Sequence, residues 1–159
     1  MVFVAVGTQK FPFNRLLKAV DELIEQGRLE EEVFAQVGHS DYVPRNYAYK
    51  DFLSKEEFQS CIERCDLLIT HSGVATIIAG LKLRKPAVVV PRLARFGEHV
   101  DDHQFQIAEN FSSKNMLLMC REEDDLAELV KEARTRTFVG YTSQRDRVIR
   151  TVREYLDTI

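Results

Sequence analysis

Long apolar runs are missing from this chain of 159 residues. The first apolar stretch, VFVAV, follows Met1 and stops at Gly7. It is too short for a membrane span or the core of a signal peptide, and no basic leader precedes it. The expectation is a cytosolic chain that meets membranes only peripherally, through a partner. Cysteine is sparse: Cys61, Cys65 and Cys120 make an odd count with no CxxC pair. That speaks against a disulfide framework. Cys61 and Cys65 share a predicted helix face with Phe58 and Ile62 and read as core, since a free thiol packs as a small apolar group. Internal repeats, low-complexity segments and a GK[ST] phosphate loop are absent as well.

Nor is there an excess of positive charge. The formal net charge of −3 argues against a nucleic-acid partner. Its distribution is uneven, with six arginines and one acid, Asp146, between Arg134 and Arg153, which leaves the rest of the chain at −8. Such a stretch suits an anionic lipid surface or an acidic partner, or is a solvated helix face.

What is present is ordinary for a globular protein: 45% apolar and 30% charged residues. A chain of this length buries ~70% of its unfolded surface as one domain. The pattern alternates strands and helices. Strands are expected at 2–6, 32–37, 46–52, 66–70, 87–90 and 115–120. Helices are expected from Asn14 to near Gly27, Lys55–Arg64, Val74–Leu83, 102–112, 123–136 and about 143–156. Ser54 and Glu57 form a capping box for the second helix. Strand–helix alternation implies parallel pairing by right-handed crossovers, hence a three-layer α/β/α Rossmann-like domain with a parallel sheet. In such sheets ligands bind beyond the carboxyl ends of the strands. Attention therefore falls on the loops after Val6, Thr70 and Val90.

The first loop, GTQKFPF, offers Gly7 for a sharp turn and close backbone approach and Thr8 for a hydroxyl; a plain turn fits equally. The second is THSGVAT. Ser72 is a suitable N-cap, Gly73 leaves the first helical turn uncluttered, and free N–H groups there suit a phosphate. Thr76 adds a hydroxyl one turn in. His71 at the strand end is either a ligand donor or a structural residue. The third, 91–100, is longer than the usual join and leads into HVDDHQ. Asp101 as N-cap with Gln104 at N3 reads as a capping box, and Val100 with Phe105 as its hydrophobic staple. His99 then lies outside the helix, so His99 and His103 are not a metal-binding pair on one face, and no metal is expected. His103 and Gln104 remain at the crevice mouth, suited to a ligand rich in hydroxyls.

Taken together, VGT, HSGVAT, KPAVVVPR and FGEHVDDHQ resemble the C-terminal-domain family of family 28 glycosyltransferases, over roughly residues 1–112. The last third, 113–159, matches only in outline. The likeness is greatest to small single-domain subunits of split enzymes in bacterial capsule and exopolysaccharide synthesis. Their eukaryotic counterpart is the cytosolic subunit of the two-subunit UDP-N-acetylglucosamine transferase. The resemblance implies the donor-binding half of a GT-B enzyme. The acceptor half and the general base would lie on a membrane-anchored partner subunit that handles a lipid-linked acceptor. It implies a UDP-sugar as substrate and no metal or other cofactor. Gly7 and Thr8 would face the diphosphate, and Ser72, Gly73 and Thr76 would give helix-terminus contacts with His71 beside them. Gln104 would bind donor-sugar hydroxyls, supported by His103, and Lys50–Leu53 would lie near the uracil. One position departs from the pattern: Ala79 stands where relatives carry an acid for the ribose hydroxyls. That departure keeps two other readings in view: a non-catalytic subunit that activates a membrane glycosyltransferase, and a nucleotide-binding protein unrelated to sugars.

Overall fold

The structure, a computed structural model, describes residues 1–140, 150 and 152–154. Of the expected helix at about 143–156, residues 150 and 152–154 are described and are helical; the rest of it, with Arg145 and Arg147 of the basic stretch, lies outside the described residues. Six strands, β1 (Val2–Ala5), β2 (Val33–Gln36), β3 (Ala48–Lys50), β4 (Leu67–Thr70), β5 (Ala87–Val89) and β6 (Leu118–Met119), form one sheet. Every pairing is parallel, in the order β3-β2-β1-β4-β5-β6. Between strands lie α1 (Asn14–Glu25), α2 (Lys55–Arg64), α3 (Val74–Lys82) and α4 (His103–Ser113), and α5 (Leu126–Thr135) follows β6.

The expected three layers follow from side-chain alternation along the strands. Val2 and Val4 of β1 point to one face, where α1 and α5 supply Leu17, Val20, Ala127 and Val130. Phe3 and Ala5 point to the other, covered by α2, α3 and α4 through Ile62, Ile77 and Phe111. A strand buried on both sides can therefore be apolar at every position, as VFVA is. Cys61 and Cys65 are buried thiols in the second of these clusters, as their spacing suggested, and Cys120 is buried in the first.

Ends of elements moved where local rules compete with tertiary contacts. The Ser54–Glu57 capping box forms as expected, with Glu57 N donating to Ser54 Oγ at 3.1 Å and Ser54 N to Glu57 Oε1 at 3.0 Å. Strands β3 and β6 are shorter than their apolar runs because both lie at sheet edges, where only one neighbour pairs with them. The long third loop holds a turn of 3-10 helix at Ala94–Phe96 that its sequence did not announce. Among the described residues no helix is long and apolar enough to cross a membrane.

The strand order reverses direction between β1 and β4, the topological switch point at which α/β sheets of this order open a crevice. Residues 7 and 71, immediately beyond those two strands, face each other there.

Candidate functional site

A crevice of about 550 Å³ opens at this switch point. Gly7 and Thr8 come from the end of β1, His71 and Gly73 from the end of β4, and Thr76 from the first turn of α3. Leu53 and Ser54, beyond β3, close its far side. Of the expected Lys50–Leu53 segment only Leu53 lines the crevice; Lys50 Nζ turns away to Glu57 at 2.9 Å.

Helix α3 begins at Gly73, not after a Ser72 cap: Gly73 is the N-cap and no side chain caps the helix. The first-turn N–H groups are thus left for a ligand, with the positive end of the helix dipole behind them. Ser72 lies one residue earlier and is 1% exposed, and its Oγ has no partner.

The His71 ring fills the space between the two glycines. A methyl group on Gly7 would fall 2.6 Å from Nε2 of His71, and one on Gly73 would fall 2.5 Å from it. Gly7 also has φ +83°, a conformation L side chains rarely adopt. Both glycines are therefore required by the imidazole between them. Burial, with the nearby Arg92 cation second, lowers the His71 pKa to about 3 against the small opposing effect of its bond to Gln104. The ring is neutral at physiological pH.

Gln104 departs from the capping-box expectation. Its Oε1 accepts from Ser72 N at 3.2 Å and Arg92 N at 3.1 Å, and its Nε2 lies 3.1 Å from His71 Nδ1. Asp102, not Asp101, is the N-cap of α4, and its carboxylate accepts from Ala94 N instead of capping the helix. Asp101 accepts from His103 N at 3.0 Å. Val100 is 71% exposed, so no staple forms over Phe105. The local pattern D-x-x-Q was matched, but two buried amides elsewhere in the chain hold the glutamine more firmly than a solvent-exposed helix end does.

His103 is half-buried on the outer side of this turn, its Nδ1 3.0 Å from Asp101 Oδ2, while His99 Nδ1 lies 3.1 Å from Asp101 Oδ1. His99, Asp101 and His103 thus pair with one another, and among the described residues no group of three or more His, Cys, Asp or Glu is arranged to hold a metal ion.

Sequence reasoning missed Arg92. It is 1% exposed, and its Nη1 donates to Phe11 O and Glu98 O while Nη2 donates to Val6 O. One side chain thereby ties the third loop to the first. Burial lowers its pKa to about 10, so it is cationic at neutral pH and adds positive potential behind the crevice. No side-chain signal marks it in the sequence, since its acceptors are all backbone carbonyls. A second cavity of about 410 Å³ lies farther along the same rim, beside Arg15, Arg95 and Arg121. Each of those arginines is paired with a glutamate.

A Rossmann-like sheet of order 3-2-1-4-5-6, with an uncapped helix terminus and a neutral histidine at the switch point, defines a nucleotide-binding type of α/β domain. The chain belongs to the glycosyltransferase family 28 C-terminal domain family, whose model matches residues 1–153. Among characterised proteins it is 26% identical over 128 residues to the UDP-N-acetylglucosamine transferase subunit ALG13 of Homo sapiens, covering 75% of this chain and 11% of that protein. To the ALG13 subunit of Candida albicans it is 39% identical over 54 residues, covering 34% of this chain and 17% of that protein. The chain thus spans under a fifth of the length of either relative. Among solved structures, an NMR structure of ALG13 superposes with a TM-score of 0.61 at 21% identity, covering 92% of this chain and 94% of that one. The kitacinnamycin glycosyltransferase superposes with a TM-score of 0.61 at 18% identity, covering 99% of this chain but 40% of that one. The fold is accordingly the Rossmann-like α/β fold of GT-B glycosyltransferase domains, as expected.

Proposed function

We propose that this protein is the donor-binding subunit of a two-component glycosyltransferase that takes a UDP-sugar as substrate. The observation that carries the reading is the crevice itself. Three loops meet at the switch point, where an uncapped α3 terminus, the Thr8 and Thr76 hydroxyls and the His71 ring surround a space of nucleotide size. A diphosphate would rest against the first-turn amides of α3, which need an acceptor and carry the helix dipole. Leu53, at the far side, is the apolar surface nearest to where a uracil would lie. The names of the ALG13 relatives support a UDP-N-acetylhexosamine-type donor and action as a subunit.

The partner would be membrane-anchored, carry the acceptor half with its general base, and present a lipid-linked acceptor. This chain would stay in the cytoplasm and reach the membrane through that partner, in polysaccharide or glycan synthesis. No resident metal or cofactor enters the reaction in this reading, since the amide cluster and Arg92 supply the positive field. Titration calorimetry with UDP and a UDP-sugar, with and without the partner, tests it. Binding that Thr76→Ala weakens roughly tenfold, the value of one hydrogen bond to a charged group, is the expected result. Silence at millimolar UDP even in the complex would remove the reading.

Ala79 favours a second reading, a non-catalytic subunit that activates its partner. In that case the complex would keep its activity after Thr76→Ala and lose it only when the subunits are separated.

A further inference from the structure

The amide of Gln104 can be oriented without ambiguity. Ser72 N and Arg92 N are backbone donors, at 3.2 and 3.1 Å, so the atom they share must be the oxygen. Nε2 therefore faces His71, 3.1 Å from Nδ1. An amide nitrogen only donates, so Nδ1 must accept, and a neutral imidazole that accepts at Nδ1 carries its proton at Nε2. The alternative tautomer would set two donors against each other in a buried contact, with Gln104 4% and His71 5% exposed.

Nε2 and its neighbour Cε1 form the edge of the ring that faces both Gly7 and Gly73, at the meeting point of β1 and β4. We propose that Gln104 is a positioning residue that fixes His71 as its Nε2–H tautomer, so that the crevice presents a fixed, uncharged donor to a phosphate oxygen of the bound nucleotide. The proposal rests on the donor-binding reading above and gives Gln104 a task different from reading sugar hydroxyls. Both lone pairs of Oε1 are already taken by the two amides, and one of the two Nε2 hydrogens is taken by His71.

Three elements thereby set one proton. The β4–α3 loop supplies Ser72 N, the β5–α4 loop supplies Arg92 N, and α4 supplies the glutamine. The charged and titratable groups acting on the ring from these elements are Arg92 and His99; both disfavour an imidazolium, as does burial. A lone pair at Nε2 would repel a phosphate, so the wrong tautomer would cost binding as well as folding.

The test reads the proton directly. Long-range ¹H–¹⁵N correlation of the His71 ring in the full chain, without ligand, should show Nε2 protonated and Nδ1 bare from pH 8 down to 5. In Gln104→Glu the second carboxylate oxygen accepts where Nε2 donated, so the ring should move its proton to Nδ1 and leave Nε2 bare. UDP affinity should then fall tenfold or more, and equally in Gln104→Met, which supplies no donor. A wild-type ring protonated at Nδ1 overturns the proposal whether or not UDP binds. So does a Gln104→Glu chain that folds and keeps both the wild-type tautomer and affinity. A wild-type protein with the expected tautomer but no affinity for UDP overturns the donor-binding reading instead.

Discussion

Glu98 and Arg15 stand 83 positions apart, yet the Glu98 carboxylate accepts from both Nε and Nη2 of Arg15, each at 3.0 Å. Glu98 is 3% exposed and also accepts from Leu93 N, so this one carboxylate folds the third loop back onto α1. Within FGEHVDDHQ, Glu98 is thus an anchor of the loop. Glu98→Ala should destabilise the protein by ~2–4 kcal/mol, because it leaves Arg15 and a loop amide without their acceptor. Arg15→Ala should cost a comparable amount, since it leaves the Glu98 carboxylate, its side chain 4% exposed, without its cation. Urea unfolding of the two variants measures both, and wild-type stability in either would contradict the assignment.

Replacing either glycine beside His71 should harm the crevice more than the fold elsewhere. Gly73→Ala places a methyl group 2.5 Å from the ring, so the imidazole must shift. Overpacking of this kind costs ~1–3 kcal/mol, and UDP affinity should drop at least tenfold. Gly7→Ala brings a 2.6 Å contact and adds the ~1–2 kcal/mol cost of a left-handed φ. Thermal unfolding beside a UDP titration separates the two effects. A Gly7→Ala protein with wild-type stability would show that the close approach is not there.

Acid should weaken the fold through His71. Its folded pKa, about 3, lies below the reference value of 6.5, so between those values the unfolded chain binds a proton that the folded chain refuses. Stability is then complete above pH ~6.5 and is lost as pH falls through the window, on the order of 2–3 kcal/mol by pH 4.5. Denaturation curves at pH 7 and 4.5 give the slope. His71→Gln removes this titration and should flatten that slope, whatever it does to stability at pH 7. An unchanged slope would place the acid sensitivity in other groups.

Ala79 follows Thr76 by three residues on α3, which puts both on one helix face. Ala79→Glu should restore a carboxylate for the ribose hydroxyls, gaining ~1.5–3 kcal/mol, or about ten- to a hundredfold in UDP affinity. The gain should vanish with 2′-deoxy-UDP. An equal gain for both nucleotides, or none, would mean that the ribose lies elsewhere.

The sheet was legible in the sequence because its central strands are covered on both faces and so are apolar throughout; VFVA, LLIT and AVV needed no tertiary information. The same holds for the Ser54 capping box, whose two partners are three residues apart. Gln104 was legible as a site residue but not in its partners. A local motif proposes a neighbour at N3, whereas Ser72 lies 32 positions away and Arg92 lies 12 away. Arg92 was hidden for the converse reason. Its three acceptors are backbone carbonyls, which carry no side-chain signature. Ser72 missed its expected cap by one residue, because the helix starts one position later with Gly73 as its N-cap.

The place of β1 bears on how the molecule is made. β1 leaves the ribosome before either of its neighbours although it is a central strand, paired on one edge with residues 33–36 and on the other with residues 67–70. A nascent chain can cover the first edge early but must carry the second, apolar and unpaired, until β4 emerges. The glutamine that orients His71 comes later still. Premature termination between these points would yield a fragment with an open, sticky half-sheet, the sort of species that chaperones and proteases intercept.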